Sequence, residues 1–409
     1  ESPAGVDRLG VRDLGFGGPG FADQGVGFAV AEAVPEFFRY VGHRGVQQAE
    51  DGAEDMGGGG ADTSFAAGGA LRGERPPLEP PAGDVTALAR EMGAPYSIAE
   101  VAIDSFVANL KDRRRTRHHL LVQDSDHPVG AQLTGSEPEL FALAASRMVE
   151  AGFDVIDINF GCPAKRASGR CRGGYHLGQP ATAIQILQMV RSTVPSKIPV
   201  TVKMRRGVDD SQQSRDQFFE IFEAAWQIGI AAVTVHGRTV EQKYAGPSRW
   251  SFLQEVRCAF PQAVILGSGD LFTAEDCVRM IRETGVNGVT AARGSIGNPW
   301  IFRQCAALLQ GASLPDAPSV REQSDVINRH RELAAEVLPE NQVLRQIRKF
   351  CLFYAAWHPQ AELVRADFIA VQSWADWQQV LSRWYAEEQR GRYPANPGNL
   401  TSGCRDSCG

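Results

Sequence analysis

Residues 153–165 read Phe-Asp-Val-Ile-Asp-Ile-Asn-Phe-Gly-Cys-Pro-Ala-Lys. Up to Phe160 the apolar residues alternate with polar ones, the period of a strand. Gly161 stops the run. Cys162 follows, held by Pro163 and trailed by Lys165, Arg166, Arg170 and Arg172. A thiol at the C-terminal end of a strand, in a cationic loop, stands where a barrel enzyme would carry an acid or a nucleophile. The bland alternative is a small buried cysteine filling a strand end. The flanking Gly and Pro, with the basic residues behind them, favour function.

The same rhythm extends in both directions. Short apolar, β-branched segments are expected at Ser97–Val101, Val129–Thr134, Asp154–Phe160, Pro199–Met204, Ala232–His236, Val264–Leu266 and Gly288–Ala291. Helical patterns separate them. Pro138–Gly152 carries Leu140, Leu143, Ala144 and Met148; Ser211–Gly229 carries Phe218, Ile221, Phe222 and Trp226; Thr273–Thr284 carries Val278 and Ile281. Strands alternating with helices of this length mean βα units and a parallel sheet. Seven strands plus one expected upstream predict an α/β fold, a (β/α)8 TIM barrel over residues 76–310. A doubly wound sheet is the alternative, but no Gly-x-Gly-x-x-Gly opens the first unit. The only candidate for the first strand is Pro76–Gly83, whose four prolines cannot donate to a central ladder.

After Pro299 the strands stop. Residues 318–390 predict a small C-terminal helical domain, with Leu344, Ile347, Cys351 and Tyr354 on one stripe and Arg345, Arg348 and Lys349 beside it. Residues 391–409 read as a tail. Residues 1–75, rich in Gly and Ala with Gly57 to Gly60 consecutive, are expected to be disordered or poorly packed, or to reflect a misassigned start.

The net charge of −6 does not announce a nucleic-acid partner. Local basic clusters at Lys111–Arg117 and Arg345–Lys349 are by themselves weak signals, because most charge runs are solvated faces. No apolar run approaches the roughly 18 residues a membrane span needs. No basic-then-apolar leader is visible. The eight cysteines form no CxxC pair and several fall in apolar helical patterns, which suits a reducing cytoplasm. Cys404 and Cys408 lack the further ligands a metal site would need.

Barrel enzymes build their sites at the C-terminal ends of strands. Here those ends carry Gln132, Asn159, Cys162, Lys203, Arg205, His236, Arg238, Gly267, Gly269, Arg293 and Gly294. Gly267-Ser-Gly-Asp270 and Ala292-Arg-Gly-Ser295 follow neighbouring strands. Glycines there let backbone N–H groups approach an anion, which favours phosphate binding over ordinary turns. Lys203 inside a strand needs a partner if buried. An anionic or electron-rich ring would supply one, and the alternative is a lysine snorkelling at the mouth. His236 could hold the same ligand or simply cap its strand.

These motifs, in order, resemble the tRNA-dihydrouridine synthases. The likeness runs from about Val85 to Trp384. It is carried by Gln132-Leu-Thr-Gly-Ser-Glu-Pro138, Asp157-Ile-Asn-Phe-Gly-Cys-Pro-Ala-Lys165, Val202-Lys-Met-Arg205, Val235-His-Gly-Arg-Thr239, Gly267-Ser-Gly-Asp270, Arg293-Gly-Ser-Ile-Gly-Asn-Pro-Trp-Ile-Phe302 and Leu344-Arg-Gln-Ile-Arg-Lys349. The resemblance implies an FMN cofactor, NADPH as electron donor and tRNA as substrate. It implies hydride transfer to C6 of a uracil, with Cys162 protonating C5 as general acid. Gln132, Lys203 and His236 match residues that hold the isoalloxazine. Gly267, Ser268, Gly269, Ala292 and Arg293 match the phosphate clamp. Asn159 and Arg205 match positions near the uracil, and Lys165 and Arg238 are grouped with them as substrate-binding. The helical domain resembles one that grips tRNA, which gives Arg345, Arg348 and Lys349 a purpose; no metal and no obligate protein partner is implied. The chain departs from the family pattern in three places: Pro80-Pro-Ala-Gly-Asp84 is a shortened first-strand motif, Ser268 replaces the usual Asn, and Ala292 the usual Gly. Two other readings stay open: an FMN barrel acting on a free pyrimidine, and a tRNA-binding relative without flavin.

Overall fold

The computed structural model describes residues 27–31, 83–110, 120, 122–163 and 173–395. Its strands are β1 (Gly27–Ala31), β2 (Tyr96–Ile98), β3 (Ala102–Ile103), β4 (Val129–Thr134), β5 (Val155–Phe160), β6 (Val200–Arg205), β7 (Ala232–His236), β8 (Ile265–Ser268) and β9 (Gly288–Ala291). Hydrogen bonding runs from β2 to β4 and on in order to β9, then through β1 back to β2. That closes an eight-stranded ring, with the short β3 alongside β4. The strand expected over Ser97–Val101 is shorter than its apolar pattern and ends at Ile98, with β3 a separate pairing.

The first strand is not where the sequence placed it. Gly83 opens the helix Gly83–Glu91, and residues 76–82 lie outside the described residues. The place between β2 and β9 is taken by β1, from the segment expected to be poorly packed. It runs antiparallel to both neighbours, with Ala29 opposite Tyr96 and Phe28 opposite Ala291. The physical reason is edge satisfaction. Without a strand there, β2 and β9 would each present unpaired N–H and C=O groups. A proline-free segment can supply a full ladder in either direction; four prolines cannot.

Two barrel helices, Gln212–Ile228 and Ala274–Thr284, are capped at their starts by side chains and end at left-handed glycines, Gly229 and Gly285. Ser211 accepts the Ser214 N–H, and Thr273 and Asp276 cap each other's backbone N–H groups. Phe218, Ile221 and Phe222 are fully buried against the barrel, as their spacing predicts, whereas Trp226 and Leu143 face solvent. Each lies at the edge of an apolar stripe wider than the surface it packs on.

The C-terminal helices Val320–Val337, Glu340–Tyr354, Ala361–Ala370 and Trp374–Trp384 build a second core. It includes Trp300 from the end of the barrel and Ala87 and Leu88 from Gly83–Glu91. Arg329 grips Glu91 through both Nε and Nη2, an exposed pair worth little energy but fixing orientation. The Trp357 indole N–H donates to the Gly297 carbonyl at 2.8 Å. Gly297 has φ +66°, and a Cβ there would collide with the backbone and Cβ of Phe353. Gly297→Ala should therefore lose about 2–4 kcal/mol of unfolding free energy in urea titration, combining left-handed strain and overpacking. A loss within error of zero would show that the junction can give way.

Candidate active site

Three neighbouring strands place one polar row inside the barrel. Gln132 on β4, Asp157 on β5 and Thr201 on β6 are in register, and all three are buried. Thr201 Oγ1 donates to Asp157 Oδ1 at 2.6 Å, and Gln132 Nε2 donates to Asp157 Oδ2 at 2.7 Å. One step toward the C-terminal ends, Asn159 and Lys203 pair across β5 and β6. Asn159 Nδ2 donates to Gln132 Oε1 at 2.8 Å, while its Oδ1 accepts from the N–H groups of Gly161 and Cys162 at 2.8 and 3.1 Å. Burial raises the Asp157 carboxyl above its usual range, opposed by its Thr201 and Gln132 hydrogen bonds and by the charge of Lys203.

Cys162 is a half-buried cysteine outside any disulfide, at the end of β5. Its loop is tied down from several sides. Gly174 N–H donates to the Cys162 carbonyl at 2.9 Å. Arg205 Nε donates to the Gly161 carbonyl at 2.7 Å, and Arg205 Nη1 reaches the carbonyls of Thr239 and Lys243. A Cβ on Gly161 would lie 3.1 Å from Lys203 Nζ, so the lysine and the cysteine loop share one side of the mouth. Arg205, expected near substrate, thus gives three donations to loop carbonyls.

His236 ends β7 opposite Arg205. Its Nδ1 accepts the Arg238 backbone N–H at 3.1 Å, which leaves Nε2 as the ring's donor. Burial, with the positive charges of Arg205, Lys203, Arg238 and Arg293, holds its pKa well below 6.5. Both sequence readings of His236 are compatible with this geometry: one nitrogen caps the strand end and the other can hold a ligand.

Beyond His236 the donors outnumber their acceptors. Asp270, at φ +58°, takes Arg238 Nη2 on both oxygens at 2.7 and 2.8 Å and the Ser248 N–H at 2.7 Å. Arg293 Nη2 lies 3.6 Å from the same carboxylate, and its guanidinium sits over the rings of Tyr244 and Phe272. Arg238 Nη1 and Ser248 Oγ are buried and have no hydrogen-bond partner among the described residues. Ser248 Oγ lies in the gap between Gly237 and Gly269, where a Cβ on either glycine would strike it. Gly269, at φ +109°, needs its freedom there. Buried donors without acceptors are costly unless an anion completes them.

A Cβ on Gly267 would meet Met280 and Leu253, so its missing side chain also makes room for helices. Ala292 has φ −105°, so its methyl carries no left-handed strain. Ser268 makes only a long contact to the Thr290 carbonyl, 3.5 Å. Lys165, Arg166, Arg170 and Arg172, like Lys111–Arg117, Cys404 and Cys408, lie outside the described residues. Arg345, Arg348 and Lys349 stand in the second core, on Glu340–Tyr354. Arg345 is exposed, whereas Arg348 donates to the Val371 carbonyl at 2.8 Å and caps the end of Ala361–Ala370.

The chain matches the profile of the dihydrouridine synthase (Dus) family over residues 80–388. It belongs to the dihydrouridine synthase family. It is 33% identical to a probable tRNA-dihydrouridine synthase of Mycobacterium tuberculosis, over 66% of this chain and 69% of that protein. It is also 33% identical to tRNA-dihydrouridine synthase B of Pseudomonas aeruginosa, over 74% of this chain and 89% of that protein. A third relative, tRNA-dihydrouridine synthase B of Xanthomonas campestris, is 31% identical over 71% and 83%.

Asp157, Thr201, Ser248 and Asp270 were not singled out from the sequence as site residues. Asp157 gave a signal: a carboxylate inside an apolar strand must have partners. Ser248 gave none, because nothing local distinguishes it from any loop serine.

The depressed pKa of His236 has a defined consequence for stability. The unfolded chain binds a proton below about pH 6.5 that the folded His236 refuses, so this term is absent above pH 6.5 and costs stability as pH falls. Between pH 6.5 and 5, wild type should lose up to about 1.4 kcal/mol per pH unit that His236→Gln retains. Urea titrations at pH 7.5, 6 and 5 measure it; parallel slopes for the two proteins would show that His236 does not titrate differently on folding.

Proposed function

We propose that this protein is a tRNA-dihydrouridine synthase that uses FMN and NADPH to reduce uridines in tRNA to 5,6-dihydrouridine. The observation that carries the reading is the half-buried Cys162, next to Gly161 against Lys203, at a mouth whose far side holds buried donors without partners among the described residues. Family membership supplies the reaction class.

The residues present fit FMN. Arg238 Nη1, Ser248 Oγ and Arg293, around Gly269, suit the dianionic phosphate. Lys203, Gln132 and the His236 Nε2–H would hold the ring. A bound flavin reduced by NADPH supplies the hydride. This chain's own part is the proton, which Cys162 Sγ holds for C5 of the uracil. A general acid has to remain a thiol. The N–H groups of Gly161 and Cys162 are already taken by Asn159, so they are withheld from a thiolate.

The target base must leave the tRNA fold to reach this mouth. Arg345 and the partly buried Arg348 and Lys349 would position the RNA backbone from the helical core, and affinity should fall steeply with salt. Such an enzyme would work in the cytoplasm. Among the described residues no helix is long and apolar enough to cross a membrane.

The reversed β1 favours a second reading, a tRNA-binding relative without flavin, because an antiparallel segment stands where a first parallel strand was expected. Absorbance of the purified protein in the flavin band separates the two; a colourless protein that takes up no added FMN would establish the second. In the yellow protein, Cys162→Ala should retain flavin reduction by NADPH and lose at least about 100-fold in dihydrouridine formation. Full turnover by that variant would remove Cys162 from the chemistry. Arg345→Glu should weaken tRNA binding and lower the salt slope by about one; unchanged affinity in filter binding would take the helical core out of recognition.

A further inference from the structure

Asp157 lies two side chains away from Cys162, yet the hydrogen bonds between them all run one way. A carboxylate only accepts. With Asp157 Oδ2 accepting from Gln132 Nε2, Gln132 must turn its Oε1 toward Asn159. Asn159 must then present Nδ2 to Gln132, which leaves its Oδ1 for the N–H groups of Gly161 and Cys162. Turning both amides over would set acceptor against acceptor at Asp157 and donor against donor at the Gly161 and Cys162 N–H groups. Thr201 Oγ1 holds the other carboxylate oxygen and keeps Asp157 from turning away. All four side chains are at least nine-tenths buried, so water is not at hand to replace a missing link.

We propose that Asp157 is a positioning residue: it sets the direction of the chain Asp157–Gln132–Asn159, and that direction fastens the backbone of Gly161 and Cys162 so that the thiol is presented in one orientation. The proposal deepens the reading of Cys162 as the working acid and rests on it for its catalytic meaning. Its structural content is independent. Arg205 anchors the same loop through the Gly161 carbonyl, so the two groups hold the Gly161 peptides from opposite sides, one by N–H and one by C=O.

The test follows alkylation of Cys162 by iodoacetamide in the full-length protein, quantified on the Cys162 peptide by mass spectrometry. Asp157→Leu removes the acceptor, frees Gln132 to flip, and should speed Cys162 alkylation about tenfold. Thr201→Val leaves the carboxylate with one partner fewer and should speed it about threefold. Asp157→Asn, with its Oδ1 toward Gln132 and its amide donating to the Thr201 hydroxyl, keeps the direction and should remain within about twofold of wild type. Val202→Ala, a core truncation on the same sheet, should lower the melting temperature without speeding alkylation. Wild-type rates in both Asp157→Leu and Thr201→Val would overturn the proposal, as would an Asp157→Asn rate equal to that of Asp157→Leu. Should Asp157→Leu not fold, Thr201→Val and Asp157→Asn decide it. Alkylation requires neither flavin nor tRNA. Failure of the enzymatic reading, seen as no dihydrouridine in tRNA, is therefore distinguishable from failure of this one.

Discussion

Closure of the strand ring is the constraint on which everything else depends. Each parallel strand has two edges of backbone N–H and C=O groups, and a barrel leaves none of them exposed. The gap between β2 and β9 would break that closure, and β1 fills it in reverse. With the ring closed, β4 to β9 share one tilt and register, and their C-terminal ends converge on a single mouth. Without closure, Gln132 and Asn159 on one side and His236 and Arg293 on the other would belong to separate edges of an open sheet. The shared register also explains why Gln132, Asp157 and Thr201 meet at all, since each comes from a different βα unit.

The mouth is an electrostatically lopsided place. Lys203, Arg205, Arg238 and Arg293 crowd it, and their charges add to burial in holding the His236 pKa well below its usual value. Carboxylates are placed below and beside these cations: Asp157 beneath the cysteine loop, and Asp270 under the arginines. Each of the two organises more than one neighbour. Asp157 is buried and Asp270 partly exposed, and both are already engaged by donors, so among the described residues the unpaired groups beside them are the Arg238 Nη1 and Ser248 Oγ donors. An electron-rich, phosphate-bearing ligand gains from this, and a buried anion would find its counter-charges already fixed.

Much of the architecture was legible from pattern alone. Alternation with period two gave β4, β5, β6, β7 and β9 closely, because apolar residues such as Ile156, Ile158 and Phe160 pack in the core while Asp157 and Asn159 between them join the polar row. β2 was read too long: it ends at Ile98, although the Ala99 N–H still donates to the Gly130 carbonyl of β4. The first strand could not be read, since the segment that fills its place lies far upstream and is marked only by a short apolar patch. At the site, the sequence pointed to residues by type and missed what each spends its groups on. Arg205 and Arg238 look like free cations in a motif; the fold engages them with carbonyls of distant loops and with Asp270. Gly267 looks like part of a phosphate cradle, yet its missing side chain faces Met280 and Leu253. Such facts depend on contacts tens of residues apart, which no local pattern encodes.

The helix Gly83–Glu91 precedes the parallel strands in the chain but belongs to the core of the final helices, through Ala87 and Leu88. Ala89 packs in the barrel core, but Ala87 and Leu88 have no core partner among the described residues until positions more than two hundred later have been made. During synthesis this early turn of chain must wait, half-satisfied, for the end of the protein to arrive. A native pairing of such wide sequence separation slows folding and welds barrel and bundle into one cooperative unit. Cutting the molecule between them would leave each piece with an open seam.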